Sequence, residues 1–158
     1  MPESSLDKAD LCLLHALQED ADQNTEALAA RCNLSASTVQ RRVRKLWNER
    51  KIERTVAVLN PSATGRLTTF FALVEMDRES PRDRDALRHW CREEAHVQQA
   101  YYVTGTTDLL LVVLAADVEA YDNLMQTMQE ANPSIRRVTT NVVIDAFKRG
   151  LALPIGVE

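Results

Sequence analysis

Apolar residues recur at helical spacing along the first third of the chain. Leu6, Ala9, Leu13, Leu14, Ala16 and Leu17 line one stripe, and Asp7 and Asp10 lie in its first turn, where carboxylates oppose the positive end of a helix dipole. A first helix is predicted to end near Asp20. Beyond the polar stretch Ala21 to Asn24, Thr25 and Glu26 open a second helix through Ala27, Leu28, Ala29 and Ala30. It stops at Asn33, because asparagine tolerates the left-handed backbone of a tight turn between helices. The third stretch, Leu34 to Trp47, sets Val39, Val43, Leu46 and Trp47 at i, i+4, i+7 and i+8 on a packing face. Ser37, Thr38, Arg41, Arg44 and Lys45 fall on the opposite face. Ser35, or Ser37 with Gln40 three residues on, supplies the capping oxygen, and the helix ends near Glu49. Three short helices with a tight turn between the second and third make a helix-turn-helix pattern.

The period then changes. Ile52 to Leu59 alternates in part and reads as a strand leaving the helical region, and Asn60 to Gly65 is a cluster of turn formers. This divides the chain into a helix-turn-helix domain with connecting strand (1–59), a hinge (60–66) and a second domain (67–158). In the second domain Leu67 to Met76 is a strand with the apolar run Phe70 to Val74, and Ser80-Pro81 opens a helix to about Glu94. Val97 to Val103 and Asp108 to Ala115 are strands joined by Thr104-Gly105-Thr106-Thr107. Asp117 caps a helix carrying Leu124, Met125 and Met128, Asn132-Pro133 stops it, and Ile135 to Phe147 is the last strand. The order βαββαβ is that of ferredoxin-like α+β domains. Such a sheet carries both helices on one face, yet Phe70 to Val74 and Leu109 to Leu114 are apolar at consecutive positions, as in strands covered on both faces. The second face is expected to meet the same sheet of another copy, giving a homodimer.

At 158 residues and 45% hydrophobic content the chain can bury a core. Its net charge of −4 argues against a nucleic-acid partner until the charges are placed. Residues 1–30 carry Lys8 against seven acids, 1 − 7 = −6, whereas residues 31–60 carry eight bases against Glu49 and Glu53, 8 − 2 = +6. Local charge is what meets phosphates. Ser37, Thr38, Arg41, Arg44 and Lys45, with Gln40 counted beside them, are therefore expected to face the major groove of double-stranded DNA. Arg42 at the flank of the helix, and Arg50, Lys51 and Arg54 beyond its end, are expected to grip the phosphate backbone.

Other chemistry is sparse. Cys12, Cys32 and Cys91 are odd in number with no C-x-x-C pair, which reads as thiols in a reducing compartment and no disulfide. No apolar run approaches the ~18 residues of a membrane span and the first residues are not a basic leader, so a cytosolic protein with no membrane partner is expected. His15, His89 and His96 show no metal spacing and no nucleophile grouping, and glycines occur only at 65, 105, 150 and 156, too few for a phosphate-cradling loop. No cofactor, no metal and no catalysis are expected. Trp90, Tyr121, Met125 and Met128 read as core. The loop Val103 to Asp108 reads in two ways. It is either a plain hairpin turn with glycine in a left-handed position, or a site where N–H groups near Gly105 receive a carboxylate while Asp108 and the threonine hydroxyls face an ammonium group.

In both domains these residues resemble the Lrp/AsnC transcription factors, the leucine-responsive and asparagine regulators. Leu6-Asp7-Lys8-Ala9-Asp10 with Leu14 and Leu17 looks like the family's opening. Leu28-Ala29 with Leu34-Ser35, Val39, Arg42-Val43 and Leu46 looks like its helix-turn-helix signature, and Gly105-Thr106-Thr107-Asp108-Leu109-Leu110 like its effector-domain hairpin. The resemblance implies a winged helix-turn-helix domain, a βαββαβ effector domain, and dimers assembling into octamers or similar rings. It also implies an amino acid effector bound between dimers, lined by Gly105, Thr106, Thr107 and Asp108 with Thr140 and Val142 of the last strand. The chain departs from the family pattern where Ala21, Asn33 and Lys51 stand for glycine, and Thr107 and Leu109 for frequent aromatics. The alternative is an enzyme on the same scaffold, similar to sirohaem decarboxylases, for which His89 and His96 would be the effector-domain histidines. A pure ligand-binding or assembly module is the third reading.

Overall fold

A computed structural model describes residues 6–60, 63, 65–77 and 80–155. The chain divides into two compact units, one of Met1–Val58 with Lys148–Glu158 and one of Leu59–Phe147.

In the first unit, α1 (Lys8–Glu19), α2 (Thr25–Cys32) and α3 (Ala36–Asn48) follow the apolar periodicity. Asp7 caps α1, its carboxylate accepting the Asp10 N–H at 2.9 Å while Asp10 accepts from the Asp7 N–H at 3.4 Å, a reciprocal capping box. Asn24 caps α2 and Ser35 caps α3, accepting from the Ala27 and Thr38 N–H groups at 2.8 and 3.2 Å. Between them Asn33 takes the left-handed conformation at φ 52°, and the Leu34 N–H reaches back to the Ala29 carbonyl at 2.9 Å. At the far end of α3, Arg50 is left-handed at φ 54°. The Lys51 N–H bonds the Leu46 carbonyl and the Arg50 N–H the Trp47 carbonyl, a Schellman closure without glycine. Leu13, Ala16, Leu28, Val39 and Leu46 form the core, with Leu14, Leu17, Leu34, Val43 and Ile52 packed around it.

The second unit runs β1 (Thr68–Met76), α4 (Pro81–Glu93), β2 (Val97–Tyr102), β3 (Leu109–Ala115), α5 (Val118–Ala131) and β4 (Ile135–Val142), the βαββαβ order read from the sequence. The sheet is antiparallel throughout, in the order β2-β3-β1-β4. Phe70, Ala72 and Val74 oppose Val113, Leu111 and Leu109, and these six are buried with Leu87, Cys91, Tyr121, Met125 and Met128. Tyr121 stacks on Phe70 at 4.2 Å and its hydroxyl lies 2.8 Å from Thr140 Oγ1. Trp90 packs against the same core. The alternate residues, Phe71, Leu73, Leu110, Val112 and Leu114, lie on the face away from this core, only partly covered, with Tyr101 beside Leu110.

Several sequence expectations are corrected. Ile52 to Leu59 forms no strand, because a ladder needs a neighbouring edge and none among the described residues pairs with it; Val56, Val58 and Leu59 are exposed. No wing strand therefore follows α3 among the described residues. The last strand stops at Val142 rather than Phe147, since β1, its neighbour in the sheet, has its last opposed pair at Phe70 and Val142. Past β4 the chain also reaches the helical unit by contacts of residues 148–155. There Gln18 clasps the Leu153 backbone, donating to its carbonyl at 3.2 Å and accepting from its N–H at 2.6 Å. Most consequentially, Cys12 and Cys32 are joined in a disulfide, against the expectation of three free thiols. The α1 and α2 backbones bring their Cα atoms to 5.8 Å, a spacing that suits a disulfide and that a separation of 20 residues does not disclose.

Candidate functional site

The amphipathic design of α3 separates its two faces cleanly. Val39 and Leu46 are buried, while Ser37, Gln40, Arg41, Arg44 and Lys45 are exposed and Thr38 is half-buried. Ser37 and Thr38 sit at the helix opening, both within hydrogen-bond distance of Ser35 Oγ, at 3.2 and 2.8 Å. Helix N–H groups and hydroxyls thus open the same face that Arg41, Arg44 and Lys45 continue with positive charge. Lys45 lies 3.8 Å from Glu49 one turn on. Arg50, Lys51 and Arg54 are exposed past the end of the helix.

Arg42 is placed differently from its neighbours. Its guanidinium Nη1 lies 2.8 Å from both Asp7 Oδ2 and Asp10 Oδ1, so it ties α3 to the capped start of α1 and faces into the unit. The Asp10 N–H, and then Arg42, hold the Asp7 carboxyl below its ordinary range, while Asp10 and Asp7 raise the Arg42 guanidinium. Sequence reasoning read Asp7 and Asp10 as dipole partners and missed this tie; an arginine on the flank of an otherwise outward basic face was the available signal. Trp47, expected on the packing face, is 39% exposed and lines a shallow cleft with Arg50, Ile52 and Glu53. It stands one position past Leu46, where α3 runs beyond the three-helix core.

A second polar cluster joins α1 to α2. Arg31 Nη1 lies 2.6 Å from Glu19 Oε2, and His15 Nδ1 lies 3.1 Å from Glu19 and 3.3 Å from Arg31. Arg31 holds the Glu19 carboxyl below its ordinary range.

In the second unit the loop between β2 and β3 is pinned at its base and open at its tip. The Val103 N–H bonds the Asp108 carbonyl and the Asp108 N–H the Val74 carbonyl, each at 2.9 Å, while Asp108 Oδ2 accepts the Met76 N–H at 2.7 Å. One carboxylate oxygen of Asp108 is therefore spent on the backbone of β1. Thr104, Gly105 and Thr106 are exposed and Thr107 is half-buried. Gly105 has φ 127°, a conformation side chains rarely adopt, with open space where a Cβ would stand. Thr140 and Val142 oppose Ala72 and Phe70, on the helix-bearing side of the sheet. Along β1, Phe70 is four residues from Val74, about 13 Å at the strand rise. One chain thus does not gather the six predicted effector residues around one point. His89 is exposed on α4, and His96 pairs with Glu94 at 2.6 Å. Among the described residues no three His, Cys, Asp or Glu side chains group to hold a metal ion, and no helix is long and apolar enough to cross a membrane.

A three-helix unit that presents a basic third helix, followed by an antiparallel βαββαβ unit with an open glycine loop, defines a DNA-binding module joined to a ligand-binding type of domain. Comparison with known proteins agrees. Residues 6–46 match the AsnC-type helix-turn-helix domain and residues 69–153 the Lrp/AsnC ligand binding domain. The HTH-type transcriptional regulator y4tD of Sinorhizobium fredii is 35% identical over 150 residues, covering 95% of this chain and 89% of that protein. The crystal structure of an AsnC family transcriptional regulator from Agrobacterium tumefaciens superposes with a TM-score of 0.87 at 29% identity, over 94% of this chain and 97% of that one. The feast or famine regulatory protein of M. tuberculosis, complexed with L-methionine, does so with 0.80 at 27% identity, over 92% and 96%. The chain belongs to the Lrp/AsnC family and is a DNA-binding transcriptional regulator.

Proposed function

We propose that this regulator acts in the cytosol as a homodimer whose paired α3 helices enter successive major grooves of a roughly palindromic site. The observation that carries the reading is the split of α3 into a buried Val39 and Leu46 face and an exposed polar face. Ser37, Thr38, Gln40, Arg41, Arg44 and Lys45 meet the groove, and Arg50, Lys51 and Arg54 the phosphates. Arg42 is left out of the contact set because Asp7 and Asp10 hold it. Replacing Arg41 by Ala is expected to cost about 1–3 kcal/mol of operator binding and to relax selectivity at one or two base pairs. A gel shift at fixed salt reads this, and unchanged affinity and selectivity would refute the assignment.

The dimer rests on the sheet face that carries Phe71, Leu73, Leu110, Val112 and Leu114, which one chain leaves without a covering layer. A second copy supplies a complementary sheet, and such dimers assemble further into an octamer or similar ring. Light scattering at micromolar concentration is expected to give at least the dimer mass; a monomer mass overturns the reading. A small amino acid is the effector, taken at Gly105, Thr106, Thr107 and the free oxygen of Asp108. The L-methionine complex of the M. tuberculosis relative supports that class of ligand. Val142 stands too far along β1 to join that loop in one chain and the Thr140 hydroxyl is engaged by Tyr121, so both complete the site from another copy. Titration calorimetry with single amino acids, with Gly105→Val as the control that strains the loop, tests it. Equal heats for both proteins count against the loop.

A further inference from the structure

Two of the three cysteines face each other across the seam that supports the DNA-reading helix. Cys12 lies in the second turn of α1, and Cys32 is the last residue of α2, immediately before the left-handed Asn33 that turns the chain into α3. Val39 and Leu46 of α3 pack against Leu13, Ala16 and Leu28 of α1 and α2, so α3 rests on the platform these two helices make. Both cysteines are half-buried, accessible at their edges to a small reagent. The carbonyl oxygen of Arg31 lies 3.9 Å from Cys12 Sγ in the disulfide-bonded state. Cys91 is different in kind, buried in the sheet unit with its thiol pushed up to about 11 by burial.

From this juxtaposition we propose that Cys12 and Cys32 form a reversible redox switch, in which the disulfide locks α1 to α2 and raises affinity for DNA. The inference rests on DNA binding through α3. The oxidant class is a low-molecular-weight disulfide such as glutathione disulfide. One protein thiolate attacks a sulfur of the small disulfide, forming a mixed disulfide and releasing one small thiolate. The second protein thiolate attacks the protein sulfur of the mixed disulfide, closing Cys12–Cys32 and releasing the second. Two electrons and two protons leave the protein, and the small disulfide becomes two thiols. In a reducing compartment such a bond is transient, as sensing disulfides are. Locking the platform removes freedom that the reduced unit must give up on binding, so the oxidised protein is pre-organised.

The test uses the full chain in glutathione buffers from fully reduced to fully oxidised. The genomic DNA fragment recovered by the reduced protein serves as probe, and alkylation mass spectrometry counts the free thiols. Oxidation is expected to protect Cys12 and Cys32 together, leave Cys91 a thiol, and tighten binding by about five-fold or more, within the usual range of coupling between sites. Cys12→Ser and Cys32→Ser, each binding as the reduced protein does, should not respond. Equal or weaker binding by the disulfide form overturns the switch. So do thiols that stay free across the whole buffer range, or a response that survives in both serine variants. Absence of DNA binding in every redox state refutes the DNA reading itself, an outcome separate from equal binding in both states.

Discussion

Among the described residues the helical unit buries five apolar side chains in its core, whereas the sheet unit buries thirteen. The smaller core is supplemented by directed polar links. Asp7 and Asp10 grip Arg42, Glu19 grips Arg31, three side-chain caps start the helices, and Cys12–Cys32 ties α1 to α2. The sheet unit relies on area, with two helices laid on a ladder of apolar pairs. A small unit that must offer a polar face to DNA has little apolar surface left to bury, so its geometry is held by contacts that charge, pH and redox chemistry can reach.

The contrast can be broken or sharpened by measurement, since each unit carries one tryptophan, Trp47 in the helical unit and Trp90 in the sheet unit. Leu111→Ala has the largest expected effect, about 2–5 kcal/mol of destabilisation from the lost side chain and the cavity it leaves. In single-tryptophan variants, denaturant unfolding followed by Trp90 should shift and that followed by Trp47 should not. Equal shifts at both reporters would show one cooperative molecule rather than two units. Next in size is Arg50→Gly, which relieves a left-handed residue at the end of α3 and should stabilise the helical unit by about 0.5–1 kcal/mol. The same change removes a charge from the face proposed to touch phosphates. A more stable protein with a shallower salt dependence of DNA binding is therefore expected, and lower stability on the Trp47 signal would contradict the closure described for α3.

The smallest effect is that of acid. The folded carboxyls of Asp7 and Glu19 lie below their ordinary values of 3.8 and 4.5, so their contributions are complete above those values and are lost as pH falls through the lowered ones. Both belong to the helical unit, with Glu94, lowered by the His96 N–H, as the counterpart in the sheet unit. Stability read at Trp47 should decline from about pH 4.5 downward, and less steeply in high salt, because these pairs are exposed and screened. A decline that salt leaves untouched would point to buried groups instead.

Much of this architecture was legible because local rules carried it. The 3.6-residue period of α1 and α3, the caps at Ser35, Ser80 and Asp117, the turn at Asn33 and the βαββαβ order all depend on neighbours in sequence. What escaped depends on tertiary placement. Cys12 and Cys32 meet only once two helices pack, Arg42 turns inward only because Asp7 and Asp10 wait there, and Ile52 to Leu59 has strand-forming residues but no edge to join. At the loop, sequence offered both a plain turn and a ligand site, and the structure spends one oxygen of Asp108 on the turn while leaving the other, with Thr106, open.

The clasp of Gln18 on Leu153 changes how this protein should be dissected. The backbone that Gln18 holds lies at Leu153, past the last strand of the sheet unit, so the two partners of the clasp are separated in sequence by that whole unit. A fragment ending at residue 58 leaves the Gln18 amide without the backbone it holds, and a deletion after residue 147 removes the other half of the clasp together with residues that match the ligand-binding domain.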